Sequence, residues 1–160
     1  MFGLTSLGVV HTAISLIALA AGAMALVRDK AILPGTSLGR LYIVTTVATC
    51  VTAFGIFQHG GFGKPHALAL ITLVTLALAW VAGQTSVLGR RGRAVEVVSY
   101  SATYLFHWIP AITETSTRLP LGKPLLSSPE APALKAATAV LLLIFLAGAA
   151  LQVRALRRSA

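Results

Sequence analysis

The stretch 1–27, MFGLTSLGVVHTAISLIALAAGAMALV, contains no Lys, Arg, Asp or Glu, and Arg28-Asp29-Lys30 closes it. A helix rises 1.5 Å per residue and a bilayer core is about 30 Å thick, so about 20 apolar residues suffice to cross it. Further uncharged runs cover 41–63, 65–89, 97–113 and 136–153. The pattern predicts an all-α, polytopic transmembrane helix bundle, one integral membrane domain over 1–160. Its five spans are expected at about 4–27, 41–59, 66–88, 95–114 and 133–153. The fourth is the least apolar, carrying Ser99, Tyr100, Ser101, Thr103, Tyr104, His107 and Pro110 between Glu96 and Glu114.

Composition excludes an ordinary water-soluble domain. Of 160 residues, 56% are hydrophobic and 11% charged, against about 25% charged in a typical soluble domain. Thirteen Lys and Arg oppose four acids, for a net charge of +9. With five crossings and the N-terminus outside, the cytoplasmic side receives Arg28, Lys30, Arg40, Arg90, Arg91, Arg93, Arg154, Arg157 and Arg158. Lys64, Arg118, Lys123 and Lys135 fall outside. Nine cations against four follow the positive-inside rule, so the C-terminus is expected in the cytoplasm and the protein in the inner (plasma) membrane. If the fourth segment lay flat, the basic tail would move outside and the asymmetry would be lost.

The same split accounts for the basic charge without nucleic acid. The cytoplasmic cations sit in separate clusters at helix ends, where anionic lipid headgroups attract them, and no aromatic-interleaved basic stripe is present. The lipid bilayer is the expected partner, with further copies of the chain or the subunits of a membrane complex as the expected protein partners. Cys50 is the single cysteine, which excludes an internal disulfide and any C-x-x-C motif. Ala18-Leu-Ala-Ala-Gly-Ala23 has the small residues of a cleavage site, but no basic region precedes it, so the first helix is expected to be retained.

The four histidines are His11, His59, His66 and His107. In this topology all four fall in the outer half of the membrane or at its outer boundary. His11 is expected about 10 Å below the start of helix one, and His107 at a similar depth on helix four. Glu96, Tyr100, Thr103, His107, Ala111, Glu114 and Arg118 recur at steps of four and three and share one stripe. Thr45, Thr49, Thr52 and His59 share a face of helix two; Gly8, His11, Ser15, Ala18 and Gly22 form a small-and-polar seam on helix one. Polar groups do not face lipid cheaply, so these three faces are expected to meet inside.

Neutral imidazole is the commonest ligand for transition metals. His11, His59, His66 and His107 therefore form the expected metal set (Zn, Cu or Fe), with Glu114 beside it as a base or supporting group. His11 and His107 alone are the expected cofactor pair, as axial ligands of a haem b, which points to electron transfer. A His-bound metal activating water, with Glu114 as base, is the one hydrolytic reading left. A Ser-His-Asp triad would need Asp29, at the wrong end, and no phosphate-binding glycine loop precedes a helix.

His11-Thr-Ala-Ile-Ser-Leu-Ile-Ala-Leu-Ala-Ala-Gly22 and Leu38-Gly39-Arg40-Leu41-Tyr42 resemble an uncharacterised bacterial family of small polytopic membrane proteins carrying a domain of unknown function. The resemblance covers about the N-terminal half. It implies an inner-membrane helix bundle and no particular activity. The chain departs from that pattern in helix four, where residues 106–120 hold more polar chemistry than a span needs. Two readings compete with the cofactor site. One is a small proton-coupled permease using the Glu96-Tyr100-Thr103-His107-Glu114 stripe. The other is a cofactor-free subunit or assembly factor whose polar seams only join helices.

Overall fold

A computed structural model describes residues 5–57 and 61–158. Five α-helices follow one another: α1 (Ser6–Asp29), α2 (Ser37–Ala53), α3 (Lys64–Gln84), α4 (Gly92–Arg118) and α5 (Pro132–Arg158). A single 3-10 turn, Gly89–Arg91, precedes α4, and no strand occurs among the described residues. By length and composition α1, α3 and α5 are able to cross a membrane, while α2 is a shorter apolar helix. At 17 residues α2 is about 26 Å long.

The boundaries differ from those expected from charge-free runs, because capping and glycine end helices where charge does not. Thr5 caps α1, its Oγ1 accepting from the Gly8 N–H at 3.1 Å, and Lys30 ends it in the left-handed region at φ 59°. Thr36 caps α2 four residues earlier than expected, accepting from the Gly39 N–H at 3.1 Å. That helix stops at Ala53 rather than near residue 59: Gly55 and Ile56 fold back onto the carbonyls of Thr52 and Ala53 at 3.1 Å each. Glycine weakens a helix even inside an apolar run. At its other end α4 runs on to Arg118, where Glu114 and Arg118 form an i, i+4 ion pair. The basic tail continues α5 as helix.

Neighbouring helices pack α1 on α2, α3 on α4 and α4 on α5. Further contacts align the ends. Gln152 of α5 donates to the Lys30 carbonyl at 2.8 Å, and Gly92 at the start of α4 lies against the Ala82 carbonyl of α3. At the far end Lys64 pairs with Glu130 at 2.5 Å. The Arg-rich helix ends thus gather at one end of the bundle, opposite the 61–64 and 119–131 connections.

Packing in this bundle is inverted relative to a water-soluble one. On α4 the buried residues include Glu96, Ser99, Tyr100, Ser101, Thr103 and His107. Exposed residues include Leu16, Ile17, Val44, Leu70, Val74 and Leu143. In water the apolar stripe turns inward. A polar interior under a continuous apolar exterior is what a hydrocarbon surround selects, because each uncompensated polar group there costs several kcal/mol. Small residues bring the backbones together: Ala18, Ala21, Ala25 and Ala79 are buried around Tyr42 and Tyr100. A Cβ on Gly22 would lie 2.6 Å from the Tyr104 ring and 2.9 Å from that of Tyr42, so glycine is required for both rings to reach α1.

Candidate functional site

α2 and α4 are too far apart for backbone contact, and long side chains cross the gap between them. The Tyr42 hydroxyl meets Thr103 Oγ1 at 2.8 Å. Thr103 Oγ1 donates to the Tyr100 carbonyl at 2.7 Å, so the Tyr42 hydroxyl is the donor between them. One turn further, His107 Nε2 meets Thr46 Oγ1 at 3.0 Å, and its ring stands edge-on to Tyr42 with centroids 5.9 Å apart.

His11, in the second turn of α1, bonds to α2 by the same device, with Nδ1 2.9 Å from Thr52 Oγ1. The Thr52 hydroxyl lies 2.9 Å from the Ala48 carbonyl and 3.0 Å from that of Thr49. Its single proton is committed to its own helix, so His11 Nδ1 donates and Nε2 carries the lone pair. Ser15, one turn on, donates to the His11 carbonyl at 2.8 Å and reaches Thr49 Oγ1 at 3.4 Å.

Between α1, α2, α3 and α4 these groups enclose a cavity of about 220 Å³, whose lining includes His11, Ser15, Thr49, Cys50, His107 and Glu114. Phe106 and Pro110 also line it. Proline has no N–H to give the carbonyl four residues back, so the α4 ladder is thinned at the cavity wall. His107 is buried, His11 half-buried and Glu114 exposed at the mouth, where it pairs with Arg118.

The structure therefore brings together His11, His107 and Glu114 of the residues singled out from sequence, and separates His66 from them. His66 is buried among Phe57, Phe62 and Phe54, with ring centroids at 4.9, 5.2 and 6.3 Å. Its Nδ1 accepts the Gly63 N–H at 3.2 Å, closing the first turn of α3, and its Nε2 has no hydrogen-bond partner. His59 lies outside the described residues. Among the described residues no three His, Cys, Asp or Glu side chains are grouped to hold a metal ion. Nor do His11 and His107 hang at one depth: their threonine anchors are six residues apart on α2, about 9 Å along its axis. The cavity is also smaller than the roughly 300–1,000 Å³ of pockets for drug-sized ligands. A haem between the two imidazoles would require the helices to part.

Three polar residues carry more of the interior than the sequence pattern suggested. Thr46 is the partner of His107, and its signal was the Tyr42, Thr46, Thr49 spacing of four and three. Glu96 pairs with Arg93 at 2.6 Å, and its carboxylate is buried against Gly83 of α3. Gln152, the one amide within the uncharged run of α5, accepts from Ser101 Oγ at 3.1 Å while donating to Lys30. It ties α5 to α4 and to the end of α1. No family model, curated protein or solved structure matches this chain, so the site is read from its own geometry.

Proposed function

We propose that this chain is a multi-pass protein of the inner membrane that crosses it five times, with the N-terminus outside and the C-terminus in the cytoplasm, and that it handles protons at the His11–His107–Glu114 cavity as a small proton-coupled permease does. The topology is supported by the gathering of the Arg-rich helix ends at one end of the bundle. The loose resemblance of the first half to small polytopic bacterial proteins agrees with that location.

One observation carries the proton-handling reading. The helix richest in polar groups is the most enclosed one, and Glu96, Tyr100, Thr103 and His107 are buried along it, with Glu114 beyond them at the cavity mouth. Ionisable groups inside a membrane are expensive and are kept for ion pathways and proton relays. His11 and His107 sit at successive levels of this column, each hydrogen-bonded to a hydroxyl that accepts or donates. A bundle without an internal repeat suits transfer at a fixed site better than rocking of two halves.

The test is proton flux into liposomes containing the purified protein and a trapped pH-sensitive dye, driven by a potassium diffusion potential. Flux should exceed that of empty vesicles and fall about tenfold or more in His107→Asn, as for loss of a proton-transfer group. Equal flux with and without protein overturns the reading.

A second reading places a Zn, Cu or Fe ion, or a haem b, in the cavity that His11, His107 and Glu114 line; either would need the helices to shift, because among the described residues no three such side chains are grouped to hold a metal. Metal analysis and a visible spectrum on the same sample decide it, since His107→Ala would lower metal content or remove a Soret band. If the polar seams serve assembly alone, that variant changes stability and nothing else.

A further inference from the structure

The walls of the His11–His107–Glu114 cavity are rich in acceptors and poor in donors. Of the hydroxyls that line it, Thr12 donates to the Gly8 carbonyl, Ser15 to that of His11 and Thr49 to that of Thr45, each at 2.8 Å. Thr72 donates to the Leu68 carbonyl at 2.7 Å. A hydroxyl has one proton, so each of the four has only oxygen lone pairs left to offer. His11 is in the same state, its Nδ1 proton committed to Thr52 and its Nε2 left as an acceptor. Among the described residues the one sealed, unpartnered side-chain nitrogen is that of His66. His11 Nε2, equally without a partner in the protein, therefore opens onto space, and the cavity is the space that His11 lines.

The charge points the same way. Among the described residues that line the cavity Glu114 alone is charged. Arg118 pairs with it but stands one turn further out and is not part of the lining, so the pair presents its negative end to the cavity. Glu114 is close enough for its charge to act on His11. An anion would meet a like charge there, and a neutral carbonyl compound would find few donors. A transition metal needs several imidazoles or thiolates at once, and no three such groups are gathered among the described residues. What fits is a positive ion that brings its own N–H donors. A cation leaves water only when it is paired and hydrogen-bonded, and the carboxylate together with the imidazole lone pair supplies both. Leu16, Leu19, Leu68 and Phe106 give an apolar wall for a short alkyl group, and a volume of about 220 Å³ leaves room for few carbons.

We infer that the cavity binds a small protonated amine, ammonium itself or a short alkylammonium, held between the Glu114 carboxylate and His11 Nε2. This rests on the reading of the cavity as the working site of a proton-coupled permease, and it names the class of substrate that the site accepts.

The test is scintillation-proximity binding of radiolabelled methylammonium to the full chain in phosphatidylcholine nanodiscs, at neutral pH, where the amine carries its charge. Binding should saturate, and ammonium and ethylammonium chloride should displace the label. Tetramethylammonium and potassium, cations without an N–H, should compete about tenfold more weakly or worse, the loss expected for one hydrogen bond to a charged group. His11→Phe keeps a ring without a lone pair, and Glu114→Gln keeps the shape without the charge; each should weaken binding by about the same factor. The competition is read on the unaltered chain and so does not depend on how the variants fold. Absence of saturable binding overturns the inference, as does equal displacement by tetramethylammonium or potassium, which means attraction of any cation. Proton flux into liposomes without methylammonium binding removes the amine and leaves the proton reading standing. Saturable, N–H-selective binding without proton flux removes the proton reading and keeps the amine site.

Discussion

α4 and α5 are both 27 residues long and pack against each other, yet they are opposites. α4 has nine buried residues, most of them polar; α5 has one, Leu134. α5 is the more apolar by far and turns Leu142, Leu143, Ile144 and Leu146 outward. In water the assignment would be reversed, since burial of apolar area drives folding there. In hydrocarbon, Leu gains nothing by turning inward, and hydroxyls, imidazoles and carboxylates gain partners. Polarity, not hydrophobicity, thus decides which helix becomes the centre. What fastens the apolar helix is itself polar: Gln152 reaches Ser101 and the Lys30 carbonyl.

The sharpest way to break this contrast is a charge on the outer face of α5. Leu143 is 65% exposed, and on a soluble bundle Leu143→Lys would shift stability by no more than about 0.5 kcal/mol. Near the middle of a membrane span the cost is about 2.5–3.5 kcal/mol. The expected outcome is a large loss of carbonate-resistant protein in the membrane fraction, and an unchanged yield would contradict a lipid-facing α5.

Next in size is Gly22→Val, which drives a side chain into the Tyr104 and Tyr42 rings. Overpacking of this kind costs about 1–3 kcal/mol, to be read as a lower melting temperature in detergent. Gly35→Val is the control: a Cβ there meets nothing, and the melting temperature should hold.

Thr46→Val keeps the shape but removes the hydroxyl that meets His107 Nε2. The buried imidazole nitrogen loses its partner, at a cost of about 1 kcal/mol. Proton flux should fall with it if His107 conducts, whereas a seam that only joins helices would show the stability change alone.

The smallest effect lies outside the bundle core. The Lys64 hydrogen bond, followed by the charges of Lys64 and Lys135, holds the Glu130 carboxyl below its ordinary range. A carboxyl lowered in the folded state contributes stability above its unfolded pKa and loses it as pH falls through the lowered value. Lys64→Met should therefore cause a slight drop in melting temperature at neutral pH that vanishes in acid. Both partners are exposed, so the drop should also shrink in high salt.

Much of the fold was legible in residue order. Uncharged runs located five helices, and the 3.6-residue period put Glu96, Tyr100, Thr103 and His107 on one stripe that the structure buries. Helix ends were less legible, because α2 stops at Ala53, just before Gly55, inside an apolar run and α4 outlasts Glu114 through the pair with Arg118. Of the four histidines, periodicity grouped them by depth alone. His66 is three residues from Gly63, close enough to cap its own helix, and Phe57 and Phe62 enclose it. Depth in a membrane is a one-dimensional coordinate, and it does not say which way a ring points.

The sequence by itself determined that the chain is helical, that its outside is apolar, and which helix must be shielded from lipid. These follow from hydropathy and helical period, which are local properties of the chain. Only the tertiary structure decided that His11 and His107 share a cavity while His66 does not, that Thr46 and Thr52 hold the two imidazoles at different heights, and that Glu96 nestles on Gly83. Those are pairings across 13 to 96 positions of chain, set by how close small residues let two backbones come, and local sequence carries no record of that distance.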